Sequence, residues 1–296
     1  MKKILGILLS VILAAGVLTA CGSNGSSDSK GTIKVGGKGF TEGYILSEIY
    51  ALALEDNGYK VERTYDMNTD VIAPAIEKGE IDMYPEYVGT ALTDVLGDDM
   101  ETDLDKAYKT VSDQYAEKWD IKWLKLTKME DKVAIVMRAD KAKELGVKNL
   151  SDLQKVSGQL VLGDGVNFAE REDDLLRLDK IYGKFNFTVK NIDASLAYDS
   201  LDDGSVDVIP GLTTDPQLLS DKYVVIKEDI PVWPPQYVAP IVRQEVLDKN
   251  PGMEKILNSV SSKITTKEMI KMLDKVVNDG DEYEDVAKEF YEENCK

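Results

Sequence analysis

From residue 30 onward, short apolar stretches alternate with amphipathic ones, and this rhythm constrains the chain more than any other feature. Residues 32–35 read as a strand and lead into a glycine-rich loop, Gly36-Gly37-Lys38-Gly39. Thr41 is placed as the N-cap of a helix with Glu42 in its first turn, where a negative charge suits the helix dipole. Tyr44, Ile45, Ile49, Leu52 and Ala53 recur at helical spacing until Gly58 ends the run. Residues 61–65 form the next strand, 70–78 a short helix stopped by Gly79, and 81–84 a strand broken by Pro85. Strand–helix–strand order of this kind predicts a mostly parallel sheet flanked by helices. The rhythm restarts with strands at 133–137, 160–162, 187–192 and 206–209, and helices at 151–156, 169–182 and 194–202. Helical patterns fill the end of the chain at 253–260, 267–277 and 282–293. Two α/β halves with a helical tail predict two lobes and a cleft, with ligand beyond the carboxyl ends of the strands.

The chain begins with Lys2 and Lys3, followed by an apolar run to Ala20 with small residues near its end. That pattern is an export signal and is short for a membrane-spanning helix. The segment Leu18-Thr19-Ala20-Cys21 resembles the lipobox of bacterial lipoproteins, in which cleavage leaves an acylated cysteine at the N-terminus. A plain secretory signal that happens to hold a cysteine is the alternative. Residues 1–20 are therefore expected to be a signal peptide, and residues 21–30, rich in Gly, Ser, Asp and Asn, a lipid-anchored flexible tether. The expected location is the extracytoplasmic face of the bacterial cell membrane.

The formal net charge is −18, and loss of Lys2 and Lys3 takes it to about −20, which argues against nucleic acid as a partner. With Cys21 acylated, Cys295 stands alone and no internal disulfide can form. The chain has no histidine, which excludes Ser-His-Asp and Cys-His machinery and removes the usual imidazole metal ligands. There is no P-loop, G-x-S-x-G or HExxH. Binding, with no catalytic residues, metal or cofactor, is the expectation.

Three loops at predicted strand exits stand out. Gly37-Lys38-Gly39-Phe40-Thr41-Glu42-Gly43 offers close backbone approach and helix N–H groups. Gly79-Glu80-Ile81-Asp82-Met83-Tyr84-Pro85-Glu86-Tyr87-Val88-Gly89-Thr90-Ala91-Leu92 places two tyrosines where they either meet a ligand or pack on the sheet rim. Val232-Trp233-Pro234-Pro235-Gln236-Tyr237-Val238-Ala239-Pro240 reads equally as a binding loop or a linker between lobes.

Together these segments resemble the substrate-binding proteins of ABC importers for glycine betaine, carnitine and choline. Arg171-Glu172-Asp173, Val206-Asp207-Val208 and Thr213-Thr214-Asp215 add to the match, which runs from about residue 32 to 291. The resemblance implies a two-lobe, periplasmic-binding-protein-like α/β fold with a hinge and an inter-lobe ligand cleft. Lobe 1 would comprise residues 31–130 with 237–296 returning to it, and lobe 2 residues 131–236. It also implies a monomeric receptor that passes a small cationic or zwitterionic solute to a membrane permease.

In the quaternary-ammonium members a cage of tyrosines holds the cation, because a methylated ammonium has no N–H to donate and is held by aromatic faces. Tyr87 and Tyr237 match two cage positions, and Thr90 matches a hydroxyl at the polar end of the ligand. The other two positions fall at Val133 and Leu212, which are not aromatic. Tyr84, Phe168, Tyr198 and Trp233 are candidates for replacement faces. Phe40, Thr41 and Thr213 lie in matched motifs and complete the candidate ligand set with Arg171, which either grips a carboxylate or pairs with Glu170, Glu172 or Asp173. Glu42 and Asp70, if they face the cleft, favour a cation. The departure at the cage leaves a second ligand class open: another small amine, amino acid derivative or polar zwitterion.

Overall fold

The computed structural model describes residues 30–296, so the proposed signal peptide, Cys21 and nearly all of the tether lie outside the described residues. Among the described residues, ten strands form two five-stranded sheets. The strands are β1 (Thr32–Lys38), β2 (Lys60–Met67), β3 (Met83–Tyr87), β4 (Ile121–Trp123), β5 (Val133–Arg138), β6 (Val161–Asp164), β7 (Thr188–Asn191), β8 (Val208–Leu212), β9 (Tyr223–Ile226) and β10 (Val238–Arg243). The first sheet has the order β2-β1-β3-β10-β4 and the second β7-β6-β8-β5-β9.

Both sheets are mostly parallel, as the pattern predicts. In each, four strands run in one direction and one runs against them: β10 is antiparallel to β3 and β4, and β5 is antiparallel to β8 and β9. Parallel neighbours arise from crossover helices. β5 and β10 instead enter their sheets from the other half of the molecule, so they arrive from the opposite direction.

Pro85 does not end its strand. It sits inside β3 directly opposite Pro240 of β10, a position where neither residue is asked for an N–H on that ladder. On its other side Pro240 cannot donate to Leu124, and the Tyr108 hydroxyl supplies that carbonyl at 2.7 Å. The helix beginning near residue 40 spans Thr41–Asp56, with Phe40 rather than Thr41 in the cap position, because β1 runs on to Lys38 and leaves two residues for the turn. The helix expected over 169–182 starts only at Leu175. The Asp164 carboxylate takes the N–H groups of Val166, Phe168 and Ala169, and this holds the preceding stretch as a loop.

Each sheet is covered on both faces. Ile45, Leu46, Ile49 and Leu54 of the helix Thr41–Asp56 pack with Met253, Leu257, Met269 and Phe290 of the C-terminal helices on one face of the first sheet. Ile72, Ile76, Val111, Tyr115 and Trp123 cover the other. The second sheet is sandwiched between a cluster around Leu150, Phe168 and Trp233 and a smaller one around Val136, Leu201 and Ile209. Among the described residues no helix is long and apolar enough to cross a membrane, and no cluster of side chains could hold a metal ion.

The chain passes between the sheets twice, after β4 and before β10, and the two passages are bonded to each other. Thr127 donates its N–H to the Val238 carbonyl at 2.7 Å, and Asp131 donates to the Gln236 carbonyl at 3.1 Å. Glu130 and Tyr237 form an antiparallel bridge. A paired two-strand connection bends more readily than it shears, which suits a hinge.

Candidate functional site

The loops leaving β1, β3, β6 and β8 all converge where the two sheets face each other. A cavity of 370 Å³ lies there between Thr90 and Asp94 of the first half and Val133, Arg171 and Trp233 of the second, with Gln236 at its edge. A second cavity of 490 Å³ is walled by Tyr198, Gly211 and Asp215 on one side and by Val277 and Asn278 on the other. Val166, 53% exposed, lines both, so they are two arms of one cleft. Gly89 permits part of this geometry. A Cβ there would stand 2.8 Å from the Gln236 amide, whose oxygen accepts the Thr90 N–H.

Beneath the first-sheet rim lies a buried polar network. The Lys38 ammonium meets Glu86 at 2.5 Å, and both side chains are almost wholly enclosed. Glu86 also accepts the Tyr84 hydroxyl at 2.8 Å and the Tyr87 N–H at 2.6 Å. The Lys38 ammonium stands 5.0 Å from the centre of the Tyr87 ring, and the Tyr87 hydroxyl donates to Glu42 at 2.5 Å. Thr214, from the second half, lies close to both Glu42 and Asp131 but gives its proton to Asp131 at 2.7 Å. Glu42 Oε2 is thereby left buried without a hydrogen bond.

Burial raises the Glu42 pKa well above the ordinary carboxylate range, and the charge of Asp131 raises it further against the opposing Tyr87 bond and the nearby Thr214 hydroxyl. Burial raises Asp131 as well. A carboxyl with a raised folded pKa contributes stability below its unfolded value and loses it as pH rises through the folded value. Glu42→Gln is therefore expected to raise the melting temperature by a few degrees at pH 8, with the gain shrinking as pH falls toward 5. Thermal unfolding of both proteins over that range checks it.

The structure distributes the sequence-derived candidates unevenly. Thr90 and Arg171 line the first arm together with Val133 and Trp233, and Tyr198 lines the second. Arg171 is bonded to Asp173 at 2.7 Å and Asp174 at 2.9 Å, so its charge is already matched. Phe40 projects from the β1 exit, 43% exposed, with its ring 6.0 Å from that of Tyr87. Thr41 is half-buried in the first helical turn. Thr213, directly after β8, is tied to the first passage between the sheets, donating to the Glu130 carbonyl and accepting the Lys132 N–H.

Others do not line either arm. Tyr84 and Phe168 are fully buried in the hydrophobic clusters of their sheets, because alternate residues of β3 face the core and the Asp164 turn folds Phe168 inward. Tyr87 is 5% exposed, with Lys38 over its ring, and Tyr237 is half-buried against the first-sheet core. Val133 and Leu212 stand opposite each other at the ends of β5 and β8, and present apolar surface there. Asp94, Val166 and Gln236 line the cleft without having been singled out; Val166 and Gln236 lie on loops flanking strands, and Asp94 lies in the short helical segment Ala91–Val95 that follows β3.

Comparison with known proteins places this architecture. Residues 31–293 match the family model of the substrate binding domain of ABC-type glycine betaine transport systems. The carnitine transport binding protein OpuCC of Listeria monocytogenes is 29% identical over 301 residues, covering 99% of this chain and 98% of the relative. The ergothioneine transport permease/ergothioneine binding protein EgtU of Helicobacter pylori is 29% identical over 232 residues, 77% of this chain and 41% of the relative. A crystal structure of a glycine betaine/carnitine/choline ABC transporter protein superposes with a TM-score of 0.82 at 26% identity, covering 88% of this chain and 97% of that one. With the two-lobe fold and the cleft, these matches establish that the chain belongs to the substrate-binding domains of ABC-type glycine betaine transport systems, extracytoplasmic and non-enzymatic proteins that serve a membrane permease.

Proposed function

We propose that the cleft between the sheets captures a small quaternary ammonium solute, such as glycine betaine, carnitine or choline, and that the closed protein hands it to the permease. The observation that carries this reading is the composition of the cleft: apolar surface from Val133, Val166 and Trp233 beside the carboxylates Asp94 and Asp215. A methylated ammonium donates no N–H bonds, so apolar and aromatic faces with nearby negative charge suit it. The Thr90 hydroxyl and Gln236 amide can meet a carboxylate or hydroxyl at the other end. Both volumes fall in the range of about 300–1,000 Å³ usual for small-molecule sites.

In this reading residues 31–130 and 237–296 act as one lobe and 131–236 as the other, hinged at the paired passages. The protein works as a monomer held to the membrane through an acylated Cys21 after removal of residues 1–20, with 21–30 as tether.

A second reading keeps the receptor and changes the solute to another small amine, amino acid derivative or polar zwitterion. It is favoured by the apolar Val133–Leu212 pair and by the Lys38 ammonium over Tyr87, which together leave few aromatic faces for a bare trimethylammonium.

Thermal unfolding with a panel of glycine betaine, carnitine, choline, ergothioneine and free amino acids separates the two. A true ligand at one hundred times its Kd stabilises the fold by about 2.7 kcal/mol. Stabilisation by a methylated ammonium is expected; stabilisation by free amino acids alone would support the second reading.

A further inference from the structure

The second arm of the cleft is a cavity of 490 Å³ whose charge is unbalanced. Among the described residues that line it, Asp215 is the charged one, and no lysine or arginine faces it. Asp215 Oδ2 accepts the Tyr198 hydroxyl at 2.7 Å and the Leu212 N–H at 3.0 Å. Both bonds fall on the same oxygen, so they fix the orientation of the carboxylate and leave Oδ1 free of them. The site is also built for close approach. A Cβ on Gly211 would stand 2.5 Å from the Asp215 carboxylate, and one on Gly165 would stand 2.6 Å from the Ala194 backbone, so side chains there would fill the floor. The Tyr198 ring is held edge-on by Tyr223 at 4.9 Å between centroids, which makes it a rigid wall. Asn278, on the C-terminal part of the chain packed with the first sheet, faces Asp215 from the other lobe.

We propose that this arm is a subsite for a ligand tail that bears N–H donors, a protonated amine or an N–H heterocycle, and that Asp215 is the residue that receives it. The inference rests on the receptor reading and adds to it. The cationic head occupies the arm at Thr90 and Val133, and the tail passes Val166 to reach Asp215. A half-buried carboxylate with an oxygen left for the ligand discriminates, because a ligand without the donor closes over it and leaves it desolvated and unpaired. Burial raises the pKa of Asp215, in keeping with a carboxylate that awaits a partner. The subsite favours amino acid betaines with N–H-bearing side chains over glycine betaine itself.

The test is calorimetric titration of the wild-type protein, Asp215→Asn and Asn278→Ala with two probes, glycine betaine and ergothioneine, the betaine of a thiolated histidine. Asparagine keeps an oxygen for the Tyr198 and Leu212 bonds, and melting curves verify that each variant folds. Ergothioneine is expected to bind wild type at least about tenfold tighter than glycine betaine, and Asp215→Asn to reduce that ratio about tenfold or more. An unchanged ratio in Asp215→Asn, or glycine betaine binding as tightly as ergothioneine, would overturn the subsite and leave the receptor reading standing. Failure of both probes to bind wild type would overturn the reading and the subsite with it.

Discussion

Lys38→Met should destabilise the protein by about 3–5 kcal/mol, the usual result of removing one partner from a buried ion pair. The pair is enclosed, with Lys38 and Glu86 side chains 5% and 0% exposed, so solvent cannot screen the orphaned carboxylate. Glu86 is also fixed by the Tyr84 hydroxyl and the Tyr87 N–H, which prevents it from swinging toward water. The double variant Lys38→Met/Glu86→Gln should recover much of the loss, since a neutral amide accepts the Tyr87 N–H through its oxygen and donates to the Tyr84 hydroxyl oxygen through its NH2, with no charge to solvate. Urea unfolding of the single and double variants measures both. A single variant as stable as wild type would mean that Glu86 reaches solvent, contrary to the enclosed geometry.

Phe168→Ala is expected to have a comparable effect on stability, about 3–5 kcal/mol, with ligand affinity changed by no more than severalfold. Phe168 is 1% exposed and packs in the cluster with Leu162, Leu175, Leu178 and Trp233. The cavity left by its removal would not collapse, because its backbone N–H is pinned to Asp164 at 2.9 Å. The residue sits two positions after Val166, which does line the cleft, so the turn separates a ligand wall from a core residue within a few ångströms. A large loss of affinity with little loss of stability would reverse that assignment and return Phe168 to the ligand site.

The contrast between those two neighbours shows what the sequence could and could not convey. Periodicity located the helix Thr41–Asp56, the strands leading to each loop and the C-terminal helices, because buried faces leave a mark every two or three to four residues. It did not single out the helix Leu104–Trp119, whose buried stripe is narrow: Ala107, Val111 and Tyr115 among charged residues. It misjudged Pro85, since only the partner strand shows that the missing N–H is not needed there. Strand direction was illegible for the same reason: β5 and β10 look like any other apolar strand, and their antiparallel entry follows from crossing between lobes.

At the site, motif matching brought attention to the right loops but not to the right side of each residue. Thr90 and Arg171 reach the cleft, whereas Tyr84 and Phe168 turn into their cores. Tyr87 is engaged by Lys38, and that contact joins residues 49 positions apart, beyond any local pattern. Asp215 was visible only as part of Thr213-Thr214-Asp215; its role emerges from a cavity that strands β6 and β8 and residues 277–278 assemble together.

Val166→Trp puts the central claim to its most direct test. Val166 lines both arms and is 53% exposed, so an indole there blocks the cleft without disturbing a core. Calorimetric titration should show a loss of at least about tenfold in affinity for whichever methylated ammonium the wild type binds, with the melting temperature of the unliganded protein little altered. Undiminished affinity in the blocked variant would mean that the solute is held somewhere other than between the two lobes.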